Sequence, residues 1–163
     1  MAVRSSKPKL RKPHSKRQSF EGAPIGDLRV GGRVWVEKDG DGRTYLAWGR
    51  VVLLERIEQC GSISAAARSM GISYRHAWLL VEQINALAPA PLVVAQKGGK
   101  KGGGASLTQE GKQAVQGFWY LVEKFEAFLR DVSEDARLIA FFSPQGPSLL
   151  NRPSIHTKPA FDE

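Results

Sequence analysis

The chain is poor in the side chains that build covalent and metal chemistry. Its 163 residues include one cysteine, Cys60, and three histidines, His14, His76 and His156. A lone cysteine forms no internal disulfide and is too little for a cysteine-based zinc site, so reducing, cytoplasmic surroundings are expected. His14 and His156 fall in stretches with little to bury, and no acid or serine is spaced to complete a nucleophilic triad with His76. Asp39 and Asp41 are paired, but inside "KDGDG", where aspartate serves the backbone of a turn. The expectation is a non-enzyme with no metal and no cofactor. Long apolar runs are also lacking. None approaches the roughly 20 residues of a membrane span, and the N-terminus has no apolar core of a secretion signal, so no membrane partner is expected.

What the chain has is positive charge, unevenly spread. The formal net charge is +8, yet residues 1–20 hold seven Lys/Arg and no acids. The rest of the molecule is close to neutral. Within it, residues 61–112 carry Arg68, Arg75, Lys97, Lys100, Lys101 and Lys112 against only Glu82 and Glu110. A locally basic region in a near-neutral body fits a small nucleic-acid-binding face, and fits an ordinary surface as well.

Composition divides the chain into three. Residues 1–24 are rich in Lys, Arg, Ser and Pro and read as a disordered basic tail. Residues 138–163, proline-rich from Ser143 onward, read as a second disordered tail. Residues 25–137 make one domain of usual size. Two short runs around Asp-Gly predict a β-hairpin at about 33–37 and 43–47. In "GRVVLLERIEQCG", Val51, Leu54, Ile57 and Cys60 recur at helical spacing and Gly61 ends the helix. A short helix follows with Ser64 as its cap and Gly71 as its break, then a third from Ser73 to about Leu87, where "APAP" prevents continuation. Ala77, Trp78, Val81, Ile84 and Leu87 are its expected core residues. Leu79, Glu82 and Gln83 lie on its outer side. Thr108 caps a long helix, 109–132, whose Val115, Phe118, Val122, Phe125, Leu129 and Val132 are spaced as a heptad seam. Trp119, Leu121 and Phe128 add a second apolar edge. The fold class expected is mainly α with small β-hairpins (α+β).

Between the third and fourth helices lies "VVAQKGGKKGGGASLTQEG", residues 93–111. A nucleotide-binding loop is excluded, because no glycine is followed by Lys-Ser/Thr at the G-x-x-x-x-G-K-[ST] spacing. A linker is disfavoured by the strand-like "LVVAQ" and "ASL" on either side. The remaining reading is a hairpin tip whose glycines let backbone approach backbone. Helix, short helix, tight break, helix, basic hairpin and long helix is the order of a winged helix-turn-helix, in which the short helix braces the next one for the major groove.

"GSISAAARSMGISYRHAW", followed by "GGKKGGGASLTQEG", resembles the N-terminal DNA-binding domain of the ModE-type molybdate-responsive regulators, and more distantly the LysR-type helix-turn-helix. The resemblance covers about residues 30–132. It implies a bacterial, dimeric, DNA-binding transcription regulator that pairs through the long helix after the wing. The family continues into a molybdate-binding region. Only about 30 residues follow the long helix here, so the expectation is a ModE-like chain lacking that domain.

The DNA-contact candidates are Ser73, Tyr74, Arg75 and His76 at the start of the third helix, wing lysines Lys97, Lys100 and Lys101, and Ser62 and Ser64 at the start of the second helix. Ser73 and Ser64 are equally explained as caps, and Tyr74 as a partner of Trp78. The expected partners are double-stranded DNA, a second copy through Val115, Phe118, Val122, Phe125, Leu129 and Val132, and a separate sensor or protein partner. A different class stays open: a dimeric adaptor or architectural protein that uses the winged fold for protein contacts or non-specific DNA contacts.

Overall fold

The computed structural model describes residues 19–25, 28–95 and 103–142. The body opens with an antiparallel pair, β1 (Phe20–Ile25) and β2 (Leu28–Gly32). A second hairpin follows, β3 (Trp35–Glu37) with β4 (Thr44–Ala47). Gly40 and Gly42 take positive φ in its turn, and Asp41 accepts from the Arg43 amide and Nε, each at 2.8 Å. The hairpin expected around Asp-Gly is therefore present.

α1 (Trp48–Cys60) comes next and ends at Gly61, whose left-handed φ of 67° suits glycine. Val51, Val52, Leu53 and Leu54 are all buried, because α1 is enclosed by α2, α3, β4, β6 and α4 rather than covered on one stripe. Cys60, the last residue at that helical spacing, is exposed, so the buried line of α1 ends at Ile57. α2 (Ile63–Met70), α3 (Tyr74–Leu87), β5 (Val93–Ala95), β6 (Ala105–Leu107) and α4 (Gln109–Glu134) complete the expected order, and α5 (Ala136–Phe142) is added. The fold is α+β, helices with three separate two-stranded antiparallel sheets among the described residues.

Two boundaries move. All of β1 but Ile25 lies inside the stretch read as the N-terminal tail, and Phe20 and Ile25 are buried. Three inward side positions next to a basic run are too few to show as a periodicity. Residues 138–142 belong to α5, not to a C-terminal tail.

β1 and β2 lie on the C-terminal half of α4. A Cβ on Gly22 would sit 2.3 Å from Ser133 Oγ and 2.9 Å from the Leu129 carbonyl, and one on Gly32 would sit 2.6 Å from the Phe125 ring. The hairpin therefore lies close on the helix, against the Leu129 carbonyl and Ser133 hydroxyl at Gly22 and against the Phe125 ring at Gly32, where a Cβ does not fit. Edge-to-face aromatic pairs tie the layers together: Phe20 with Phe125 and Trp48, and Trp48 with Trp119 at 4.9 Å between centroids. Trp119 Nε1 donates to Glu55 at 2.8 Å.

This packing corrects the expected seam of α4. Phe118, Val122 and Leu129 are 2%, 6% and 3% exposed within the single chain. They belong to its own core, covered by α1 and the β1–β2 hairpin, and are not open to a second copy. Val115, Phe125 and Val132 are half-buried at the margins. Leu121 and Phe128 face solvent, the latter stacked on Phe125 at 6.2 Å.

Candidate nucleic-acid interface

α2 begins at Ser62, whose Oγ accepts from the Ala65 amide at 3.1 Å. The cap is thus Ser62, not Ser64. Ser64 is the second residue of the helix, where its Oγ accepts from Arg68 Nη1 at 2.8 Å. Ala66 and Ala67 of α2 and Ala77 of α3 are buried with almost no exposed surface, and their small side chains allow the two helices to approach closely. Gly71 turns the chain in left-handed geometry, and the Ile72 amide closes the turn on the Ala67 carbonyl at 3.1 Å. Ile72 packs into the angle.

α3 is capped by Ser73, whose Oγ accepts from the His76 amide at 3.2 Å. Ala77, Val81, Ile84 and Leu87 face inward as expected. Tyr74, Arg75 and His76 face outward, and the side chains of Arg75 and His76 have no partner among the described residues. Trp78 is a correction. It is 37% exposed and leans on Tyr74, with ring centroids 6.1 Å apart. A helix turns about 100° per residue, which carries position 78 off the line of Ala77 and Val81 to the outer flank. Gln83 is engaged by Arg50, which donates to its Oε1 at 2.8 Å and to the carbonyls of Thr44 and Tyr45. Burial lowers the pKa of Arg50 from its ordinary value.

The hairpin after α3 pairs Val93 with Leu107, Val94 with Ser106 and Ala95 with Ala105. Lys97, Lys100 and Lys101 lie outside the described residues, between these two strands in sequence. The root of the hairpin is fixed by groups that the sequence reading missed. Asn85 donates to the Val93 carbonyl at 2.9 Å and accepts from the amides of Leu92 and Val93 at 2.9 and 3.1 Å. Glu58 accepts from the Leu107 amide at 3.0 Å and pairs with Lys112 at 2.9 Å. Its carboxyl is held below the usual carboxylate range, chiefly by the hydrogen bond from Lys112 and then by that from the Leu107 amide. The Ala105 amide donates to the Gly61 carbonyl, closing β6 onto the end of α1. Thr108 caps α4 through the Gly111 amide and donates to Pro91. A Cβ on Gly111 would meet the Leu92 carbonyl at 2.2 Å. The only sequence signal for Asn85 was a polar residue in the last turn before "APAP".

Helix, tight glycine turn, outward-facing helix and rooted hairpin together are a winged helix-turn-helix. Residues 48–112 match the lysR-family bacterial regulatory helix-turn-helix. The chain is also 42% identical over 96 residues to the molybdenum transport protein ModE of Azotobacter vinelandii, which covers 59% of this chain and 36% of that protein. It is 51% identical over 69 residues to the molybdenum-pterin-binding protein MopB of Rhodobacter capsulatus, covering 42% and 26%. With the DNA-binding transcriptional dual regulator ModE of Escherichia coli K12 the identity is 38% over 89 residues, covering 55% and 34%. The resemblance to ModE-type regulators read from "GISYRHAW" and the glycine-lysine hairpin therefore holds. The chain spans only about a quarter to a third of the length of these relatives. Among the described residues no cluster of His, Cys, Asp and Glu is arranged to hold a metal ion, and no helix is long and apolar enough to cross a membrane.

Proposed function

We propose that the chain is a sequence-specific DNA-binding transcriptional regulator that acts as a dimer. The observation that carries this reading is the exposed start of α3. Tyr74, Arg75 and His76 project from a capped helix that α2 braces, and Asn85 fastens the wing to the far end of the same helix. In this docking α3 enters the major groove, and Arg75 meets guanine or phosphate. The wing, with Lys97, Lys100 and Lys101, follows the adjacent backbone. Ser62 and Ser64 approach a phosphate at the start of α2, although each already has a partner within the helix.

The dimer face of this proposal differs from the seam expected from the sequence. Leu121, Phe125, Phe128 and Val132 also alternate at heptad spacing, and along this line Leu121 and Phe128 are exposed while Phe125 and Val132 are half-buried behind them. Tyr120, on a neighbouring line, is partly covered by Lys124. Pairing along this edge gives a two-fold assembly whose operator is a near-palindrome, with half-sites about one helical turn or a multiple of it apart.

Selection from a random-sequence duplex pool, using the full chain, tests the proposal. The expected result is one enriched palindrome, with Arg75→Ala weakening it by about 1–3 kcal/mol while sparing random duplex. Salt-sensitive binding without an enriched sequence would instead favour an architectural or adaptor role, for which the exposed Phe128, Phe141 and Phe142 supply the contact surface.

A further inference from the structure

The outer face of α3 carries more apolar surface than positioning on phosphate requires. Opposite the buried line of Ala77, Val81 and Ile84 stand Arg75, Leu79 and Glu82 at helical spacing, with Trp78 beside them. Leu79 is 47% exposed, and neither it nor Trp78 belongs to the protomer's core. Tyr74, one turn earlier, props the indole from the N-terminal side at an interplanar angle of 37°. A leucine and a tryptophan side by side on an otherwise polar helix face are costly in water, and a surface that covers them recovers that free energy.

The chemistry of the face names the occupant. Arg75 lies on the same line as Leu79 and His76 is adjacent, which suits a polyanion; Glu82, one turn beyond Trp78, is the only acid on α3. In the major groove one base presents an apolar group to such a helix, the 5-methyl of thymine. The side chain of Leu79 has no hydrogen-bonding atom, and Trp78 has only a ring N–H donor, so neither reads a base by a bidentate pair. We infer that Leu79 and Trp78 contact thymine methyl groups and make thymine at the middle of each half-site a determinant of specificity. This inference rests on the DNA-binding reading above.

The test uses the full chain and the palindrome recovered from random-site selection. Each thymine is replaced in turn by deoxyuridine, which removes one methyl and leaves every hydrogen-bonding edge intact. At one or two positions per half-site the replacement is expected to weaken binding about fourfold, the value of one buried methyl-sized group. In Leu79→Ala or Trp78→Ala protein the thymine-to-uracil ratio at those positions should collapse to about one. Both side chains are exposed, and a thermal melt of each variant verifies that it folds. A ratio near one at every position in the unaltered protein overturns the inference. So does a ratio that survives both substitutions, or variants that bind as tightly as the parent, which would assign this face to another partner. Failure to enrich any sequence overturns the DNA-binding reading and this inference with it. An enriched sequence indifferent to uracil overturns this inference alone.

Discussion

Asn85 joins two parts of the molecule through one amide. Its oxygen takes the amides of Leu92 and Val93, and its nitrogen reaches the Val93 carbonyl. Leu92 and Val93 are buried, so truncation leaves backbone donors that water reaches poorly. Asn85→Ala is expected to cost about 3 kcal/mol in urea unfolding, from lost hydrogen bonds and unsatisfied amides. Asn85→Asp, which keeps the acceptor and loses the donor, should cost less than Asn85→Ala. At this scale the sequence was legible where local chemistry decides: Ser73 and Thr108 as caps, and Gly61 and Gly71 as left-handed stops. It was less legible where two residues compete for one role. Ser62 and Ser64 both suit a cap, and only the path of the chain into α2 selects Ser62. Trp78 was misread because aromatic size favours burial in general, whereas its angular position on α3 decides its exposure.

Among elements, α4 shows what periodicity conveys and what it leaves open. The heptad spacing correctly marked an apolar stripe, but a stripe does not name its cover. Here the chain's own N-terminal hairpin and α1 take Phe118, Val122 and Leu129. Leu129→Ala should therefore lower protomer stability by about 2–5 kcal/mol, as for other buried leucines. Phe128→Glu, at the exposed edge, should cost much less in melting temperature and, under the dimer proposed above, shift sedimentation toward the monomer. Equal melting losses in both variants would remove the distinction between the two edges. The wing root has its own signature. Glu58 has a folded-state pKa below its ordinary value, so its contribution is present above the unfolded carboxylate range and fades as pH falls through the lowered folded value. The protection factor of the Leu107 amide, its exchange corrected for the intrinsic rate at each pH, should fall across that acid window in the parent protein. Glu58→Gln should remove the pH dependence of that protection factor and leave it at a lower, constant level.

For the molecule as a whole, under the DNA-binding proposal, charge should govern affinity and the side chains of α3 should govern selectivity. Replacing Lys97, Lys100 and Lys101 together by alanine should flatten the slope of log K against log salt by about 2–3 units, if each meets a phosphate. An unchanged slope would remove the wing lysines from the interface. The order of elements from α1 to α4 was legible because each boundary carries a glycine, a cap or a proline. The N-terminal hairpin was not. It is held by glycine backbones lying on α4 and by aromatic rings distant in sequence, and neither leaves a short-range pattern.

The two glycine contacts on α4 have a mechanical consequence. At one end Gly111 bears on the Leu92 carbonyl beneath the wing, and at the other Gly22 bears on Leu129 and Ser133. About 33 Å of continuous helix separates these bearings. Neither contact has slack, since even a methyl group would clash at each. α4 is therefore fixed at both ends by contacts that admit no added side chain, so Gly22→Ala and Gly111→Ala should each destabilise the fold although neither residue carries a side chain to lose.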